Sequence, residues 1–389
     1  MLWTTPADWS TPIIERLEFK TDVLLAYNGA EQRAALRQSP RRWLEFGYLI
    51  DGAHARRAFE AALWSHGAKP WQLPIWTDAT PITAAISSGA TVIPLDAEYR
   101  DFVTGGQAIL IDGERRVVVD IVSVSADQIG IAAPIVGSWP IETTIVPLRT
   151  AYLEPQQQVT RFTGDAVYNV ARFMLDDVSE YPAAIPDVLY RSEPVLLIPS
   201  NWMDDITVDY QRKMSVVDFQ IGGMYRDDET GQPVLLQSHH WVLASRAQIS
   251  AFRGWLYAQR GRYKCIWLPS FLNDFDLVTP VAAISLQINI GNHGYTDLYQ
   301  IDKNRRDLRI ELSSGLVLYR RITASSVIDA QTEQLTLDAA LGIAVLPDDI
   351  ERISLMSYCR LDADAIELAW SWGDYVDVRA NWRTTNDDV

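Results

Sequence analysis

Apolar and polar residues alternate along "TGDAVYNVARFML" (163–175) and "WGDYVDVRANW" (372–382), the period-two pattern of a strand with one buried face. Two longer stretches, 117–135 and 319–341, read as strand, polar turn, strand. Helical spacing is rarer. Phe59, Ala62, Leu63 and His66 fall at i, i+3, i+4 and i+7, one face of a helix that Asp51 is placed to cap and Gly67 to end. Ile249, Phe252 and Leu256 form a second stripe, with Ser245 as its cap and Gly261 as its stop. Strands dominate and helices are few, so the fold class is mainly β.

The pattern occurs twice. Residues 58–74, "AFEAALWSHGAKPWQLP", and 251–269, "AFRGWLYAQRGRYKCIWLP", share Ala-Phe, then a Gly, a Trp and Leu-Pro in the same order. "TPITAAIS" (80–87) answers "TPVAAIS" (279–285), and "LRQSPRRWLEF" (36–46) resembles "LLQSHHWVLAS" (235–245). Each unit ends on one of the two alternating segments. The simplest organisation is a duplication: two β-barrels, each with one packed helix and an inserted small β-domain. The first barrel takes 1–80 with 150–185 and the first insertion 81–149; the second barrel takes 186–278 with 359–389 and the second insertion 279–358. Between the copies, 179–202 carries Pro182, Pro186, Pro194 and Pro199, which suits an extended connector. Phe59, Gly67 and Trp71, with Phe252, Gly261 and Trp267, are the repeat positions expected to seat each helix on its sheet.

Composition narrows the chemistry. The 389 residues carry 50 Asp plus Glu against 34 Lys plus Arg, a formal charge of −16, which argues against wrapping DNA or docking on anionic membranes. With no run of about 18 apolar residues and no basic-then-apolar leader, the chain is expected to be soluble in the cytosol where it is made. The sequence holds no P-loop, Gly-x-Ser-x-Gly elbow, dinucleotide fingerprint or His-Glu-x-x-His, so neither an enzyme nor a cofactor is expected. His239 and His240 are neighbours that a strand would point to opposite faces, and His54, His66 and His293 are isolated. Cys265 and Cys359 lack metal-ligand spacing and read as two buried thiols. The acidic clusters at 174–178, 203–206, 225–230 and 273–276 suit turns better than a calcium site or a glycosidase pair. The Trp-rich stretches 64–76 and 367–382 keep a second class open, a carbohydrate-binding or glycan-hydrolysing two-domain β-protein; Trp71 and Trp267, taken as equivalent, favour packing instead.

One cluster is not duplicated. "GAEQRAALRQSPRRWLEFGY" (29–48) gathers Arg33, Arg37, Arg41 and Arg42 beside Glu31, whereas the equivalent stretch, 222–241, does not. A requirement of the repeated fold would appear in both copies, so the cluster is expected to meet something outside its own barrel. In so acidic a chain the abundant anion is another copy, and the planar guanidinium fork pairs bidentately with carboxylates. Glu31, Arg33, Arg37, Arg41 and Arg42 are thus expected at an inter-subunit interface of a homo-oligomer; a solvated face, or a phosphate site at Arg41 and Arg42, are the alternatives.

"TDVLLAYNGAEQRAALRQSPRR" (21–42) resembles the N-terminal region of tail proteins of long-tailed bacteriophages, and "YRSEPVLLIPSNW" (190–202) is similar to a segment of such proteins. The Phe-to-Gly helix followed by Trp-Leu-Pro is similar to the helix of distal tail proteins. The resemblance implies a structural component of the virion, at the tail tip or baseplate hub, assembled in the host cytoplasm as a ring that joins tail tube to tip. It implies as partners the tail tube protein, the tape measure and other tail-tip proteins, with no membrane. The doubling implies a trimer with a pseudo-six-fold wall, or a hexamer of two-barrel subunits. DNA would pass through the channel without specific binding, because a wall rich in carboxylates repels phosphate.

Overall fold

The computed structural model describes residues 1–27, 29–176, 181–201, 205–299 and 302–387. The chain is mainly β, 47% strand and 10% helix, with three helices among the described residues. The first half runs β1 (Ile13–Glu18), β2 (Thr21–Leu25), β3 (Glu31–Ala35), β4 (Arg41–Ile50), α1 (Ala53–His66) and β5 (Trp71–Pro74). After an inserted region come β6 (Thr144–Leu153), β7 (Val159–Arg161) and β8 (Val167–Leu175). The second half repeats the order with β9 (Thr207–Gln211), β10 (Met214–Val217), β11 (Tyr225–Asp228), β12 (Val234–Leu243), α2 (Arg246–Gln259) and β13 (Cys265–Pro269). The one-turn α3 (Tyr295–Leu298) lies in the second insertion, and β14 (Ile350–Leu361), β15 (Ala365–Trp372) and β16 (Tyr375–Thr384) follow.

The halves agree in register as well as order. On β4, Ile14 lies opposite Glu45; on β12, Thr207 lies opposite Ser238, a displacement of 193 on both strands (14 to 207, 45 to 238). The β2–β3 and β10–β11 hairpins keep that displacement, Thr21 facing Ala35 and Met214 facing Asp228. So do the helices, which begin at Ala53 and Arg246. β8 and β16 are displaced by 209: Val167 faces Ile50, and Val376 faces Leu243. The same holds for β7 and β15, where Val159 faces Asn169 and Leu368 faces Val378. A slip of one residue would turn every buried side chain outward, so two copies of one core keep one register.

Neither half closes into a barrel. β1 pairs with β4 on one side and with β15 on the other, from Ile13 opposite Trp370 to Glu18 opposite Ala365. The halves therefore join edge to edge in one open sheet, β7-β8-β4-β1-β15-β16-β12-β9. One hydrophobic core serves both, drawing Ile13, Phe46, Phe59 and Trp71 from the first half and Trp241, Phe252, Trp370 and Trp382 from the second. An apolar edge strand satisfies its backbone and its buried face together by pairing across the repeat, which removes the need to close on itself. The inserted regions enclose cores of their own, one around Trp139 and Ile129, the other around Tyr295 and Leu335.

Four local expectations change. Segment 36–46 does not correspond to 235–245: β4 (41–50) corresponds to β12 (234–243). Trp71 and Trp267 are not equivalent. Trp71 faces Ala151, which faces Leu175, while Ile266 faces Cys359, which faces Thr384, so Trp71 corresponds to Ile266 and Trp267 to Gln72. Strand alternation then sends Trp71 into the shared core and Trp267 to a satellite cluster with Tyr190 and Tyr358. Phe59 and Phe252 are both buried, as corresponding residues of α1 and α2. α1 starts after Gly52 with no side-chain cap, not at Asp51, and ends at Gly67. Ser245 caps α2, its side chain accepting from the Gln248 N–H, but the helix ends at a left-handed Arg260, one residue before Gly261. Gly261 has a tighter reason to be glycine: at φ +65°, a Cβ there would sit 2.5 Å from Asp364 Oδ1 and 2.9 Å from Phe19 Cβ.

Both thiols are free and buried. Burial pushes Cys265 up to about 12 and Cys359 well above its ordinary value. A thiol-reactive chromophore at pH 8 is expected to label neither cysteine in the native chain and both once urea unfolds it; fast labelling of native protein would contradict this burial.

Candidate functional site

The seam between the halves is built around Glu15. In "IIERLE", Ile13, Glu15 and Leu17 share the buried face of β1, so the strand carries an acid into an apolar core. Glu15 Oε1 accepts from Arg42 Nε at 2.6 Å. Its Oε2 accepts from Arg253 Nη2 at 2.6 Å and from Trp370 Nε1 at 3.0 Å. Arg253 belongs to α2 and Trp370 to β15, so a first-half carboxylate holds two second-half donors. Arg42 also donates to Asp101 Oδ2 at 2.5 Å, and Arg149 donates to Asp101 Oδ1 at 2.5 Å. Burial works to raise the Glu15 carboxyl, but Arg253, Arg42 and the hydrogen bonds oppose it and hold it below the ordinary carboxylate range.

Two further contacts extend the seam. Glu31 accepts from Arg360 Nε at 2.6 Å and Nη2 at 2.8 Å, and from Arg33 Nη1 at 3.1 Å. Arg33 reaches Asp387 Oδ2 at 2.7 Å. Asp364, at the turn before β15, accepts from the Thr21 backbone and hydroxyl and from the Arg262 N–H, each at 2.8–2.9 Å. The Glu31–Arg360, Arg33–Asp387 and Thr21–Asp364 contacts join the first half to the second.

The arginine cluster thus meets carboxylates of its own chain. Arg33 takes Asp387 and Glu31, Arg37 takes Glu18, and Arg42 takes Glu15 and Asp101, in place of the second copy expected for them. Arg41 is exposed at the start of β4. Of the four, only Arg33 pairs directly with the second half, at Asp387, and it is the one with an arginine counterpart, Arg226; Arg37 and Arg42 pair within the first half. The residue corresponding to Arg42 is Leu235, and the one corresponding to Glu15 is Val208. A chain of two repeats has one internal seam, and its central pair, Glu15 and Arg42, has apolar residues at the corresponding positions. The available sequence signal was Glu15 itself, a lone acid on the apolar face of an alternating strand.

The remaining candidates have local roles. His239 is buried and stacks on Trp241 with ring centres 5.7 Å apart, while His240 meets Asp377 Oδ1 at 3.0 Å. His66 lies against Trp71 at 3.7 Å, His293 is 3.7 Å from Asp276, and His54 is exposed. Among the described residues no group of His, Cys, Asp or Glu is placed to hold a metal ion. Of the acidic clusters, Asp177, Val178, Met203 and Asp204 lie outside the described residues. Asp228 pairs with Arg212, and Asp274 accepts from Ser270 Oγ and the Leu355 N–H. Trp71, Trp370 and Trp382 are buried and unavailable as sugar platforms; Trp64 and Trp372 are exposed. No described helix is long and apolar enough to cross a membrane. The site's chemistry is that of a charge-locked seam between sheet edges. In comparisons with protein-family models and with curated proteins, nothing matches this chain.

Proposed function

We propose that the chain is a non-enzymatic structural component of a bacteriophage tail tip or baseplate, forming a ring that joins tail tube to tip around a DNA channel. The observation that carries this reading is the register-for-register duplication joined edge to edge at the Glu15 seam. A contact that places one repeat beside the next is heterologous, and heterologous contacts close into rings when their rotation permits. The resemblance of 21–42 and 190–202 to tail proteins supplies the setting.

Two repeats per chain make a trimer with a pseudo-six-fold wall the first expectation and a hexamer the second. The tail tube protein, the tape measure and other tail-tip proteins are the axial partners that this reading names, and the virion is its location. The charge of −16 supports a lumen that DNA slides through without sticking. Electron microscopy of the purified protein, with particles sorted by symmetry, tests the reading. Rings of three subunits with an apparent six-fold inner wall are expected. Compact monomers at every concentration would overturn it.

A further inference from the structure

The internal seam uses two surfaces, and each has a counterpart on the other half whose strand edge no described residue pairs with. β15 pairs with β16 on one side and β1 on the other. Its counterpart β7, among the described residues, pairs with β8 alone. β1 pairs with β4 and β15, while its counterpart β9, again among the described residues, pairs with β12 alone. The sheet therefore ends in two open edges whose partners in the other half pair with one another.

The side chains tell the same story. α2 lies under the seam, and its Tyr257 packs on Phe19 and Tyr181 with ring centres 6.0 and 5.5 Å apart. The corresponding residue of α1, 193 positions earlier, is Trp64, which is 92% exposed. α1 buries only Phe59 and His66, whereas α2 is buried along most of its length. Beside β9 lies a cavity of about 410 Å³ lined by Ile206, Val208, Tyr210, Leu235, Gln237 and His239 among others. Their counterparts, Ile13, Glu15, Leu17, Arg42, Leu44 and Phe46, are all buried. Leu235 and His239 are buried in the second half too, but Val208 and Tyr210, unlike Glu15 and Leu17, are exposed.

The two helices carry opposite charges at one corresponding position. In the seam α2 brings Arg253 to the acid Glu15. At the position of Arg253, α1 carries Glu60, which pairs with Arg56 and Arg161 at the surface. The open groove has Val208 in place of Glu15 and carries both Arg305 and Asp274 on its wall.

We propose that copies of this chain join head to tail by repeating their own internal seam between molecules: β9 of one chain adds antiparallel to β7 of the next, and its groove receives α1. The inference rests on the self-assembly in the proposed function and adds which surfaces meet. The register follows from the seam. Ile14 opposite Ala369 and Glu15 opposite Leu368 become Thr207 opposite Thr160 and Val208 opposite Val159. Trp64 then lies toward Arg212, the counterpart of Phe19, where a guanidinium over an indole face is favourable.

Chains with one added cysteine test this, since the two native thiols are buried. Thr160→Cys mixed with Thr207→Cys, under mild oxidation or with a short bis-maleimide, is expected to give cross-linked dimers that grow no further. Neither variant alone should cross-link, and the double variant should give a ladder ending at the ring. Trp64→Asp should weaken association at least tenfold in sedimentation velocity while leaving the monomer's urea midpoint unchanged, because Trp64 is solvated there. Self-cross-linking of either single variant would overturn the head-to-tail arrangement. Association without the mixed cross-link, or unaffected by Trp64→Asp, would overturn these surfaces and leave the ring standing. No association at all would remove both.

Discussion

Glu15→Gln is expected to destabilise the chain by about 3–5 kcal/mol, the range for removing one member of a buried ion pair. The amide keeps the shape and can still accept from Trp370, but it leaves Arg42 and Arg253 buried with one carboxylate fewer between them. Urea unfolding should show a lower midpoint with an unchanged slope, since the surface exposed on unfolding is the same. Combining the change with Arg253→Met should recover part of the loss, because replacing both ions with apolar groups is often neutral where stranding one is not. The second half already contains such a replacement, Val208 beside Leu235, at the positions of Glu15 and Arg42. A loss below about 1 kcal/mol would mean that water or Asp101 compensates, and the seam would not depend on its central acid.

Acidification is expected to destabilise the chain in two legs. Burial lowers His239 to about 4, so between its ordinary value near 6.5 and that pH the unfolded chain binds a proton the folded chain refuses. The stability held by its neutrality is therefore complete above about pH 6.5 and is lost as pH falls toward 4. The second leg begins below about pH 4.5, near the ordinary value of a glutamate. Burial tends to raise Glu15, Glu31, Asp101 and Asp364, but their guanidinium and N–H donors outweigh it, so all four sit below the carboxylate range. A depressed acid contributes its full stability above its unfolded value and loses it as pH falls through its folded value. His239→Phe, which installs the residue found at the corresponding Phe46, should abolish the upper leg and leave the lower one. Urea midpoints measured from pH 3 to 8 check both, and an undiminished slope between pH 5 and 6.5 in the variant would refute the role given to His239.

What was legible in the sequence was local and periodic. The alternation of 163–175 and 372–382 appears as β8 and β16, and the strand-turn-strand of 117–135 and 319–341 appears as Arg115–Val124 with Gln128–Ile131 and Val317–Val327 with Thr332–Leu337. Phe59 and Phe252 mark the same turn of two helices, because helical spacing and a shared Ala-Phe are read within one short window. The run of Arg33, Arg37, Arg41 and Arg42 reads as a contact with another copy, whereas Arg33 pairs with Asp387 of the second half and Arg37 and Arg42 pair with first-half carboxylates.

The sequence by itself determined the mainly-β class, the duplication and the two helices, since hydrophobic period and local similarity act over a few residues. The tertiary structure decided the rest. Leu-Pro in both β5 and β13 cannot reveal that Trp71 and Trp267 sit one residue apart in register, yet that single step sends them to opposite faces. Glu15 and its second-half partner Arg253 are 238 residues apart. No window along the chain joins them. They meet because β1 pairs with β15 rather than closing its own half, a choice made by non-local backbone pairing and by a shared core that neither repeat completes alone.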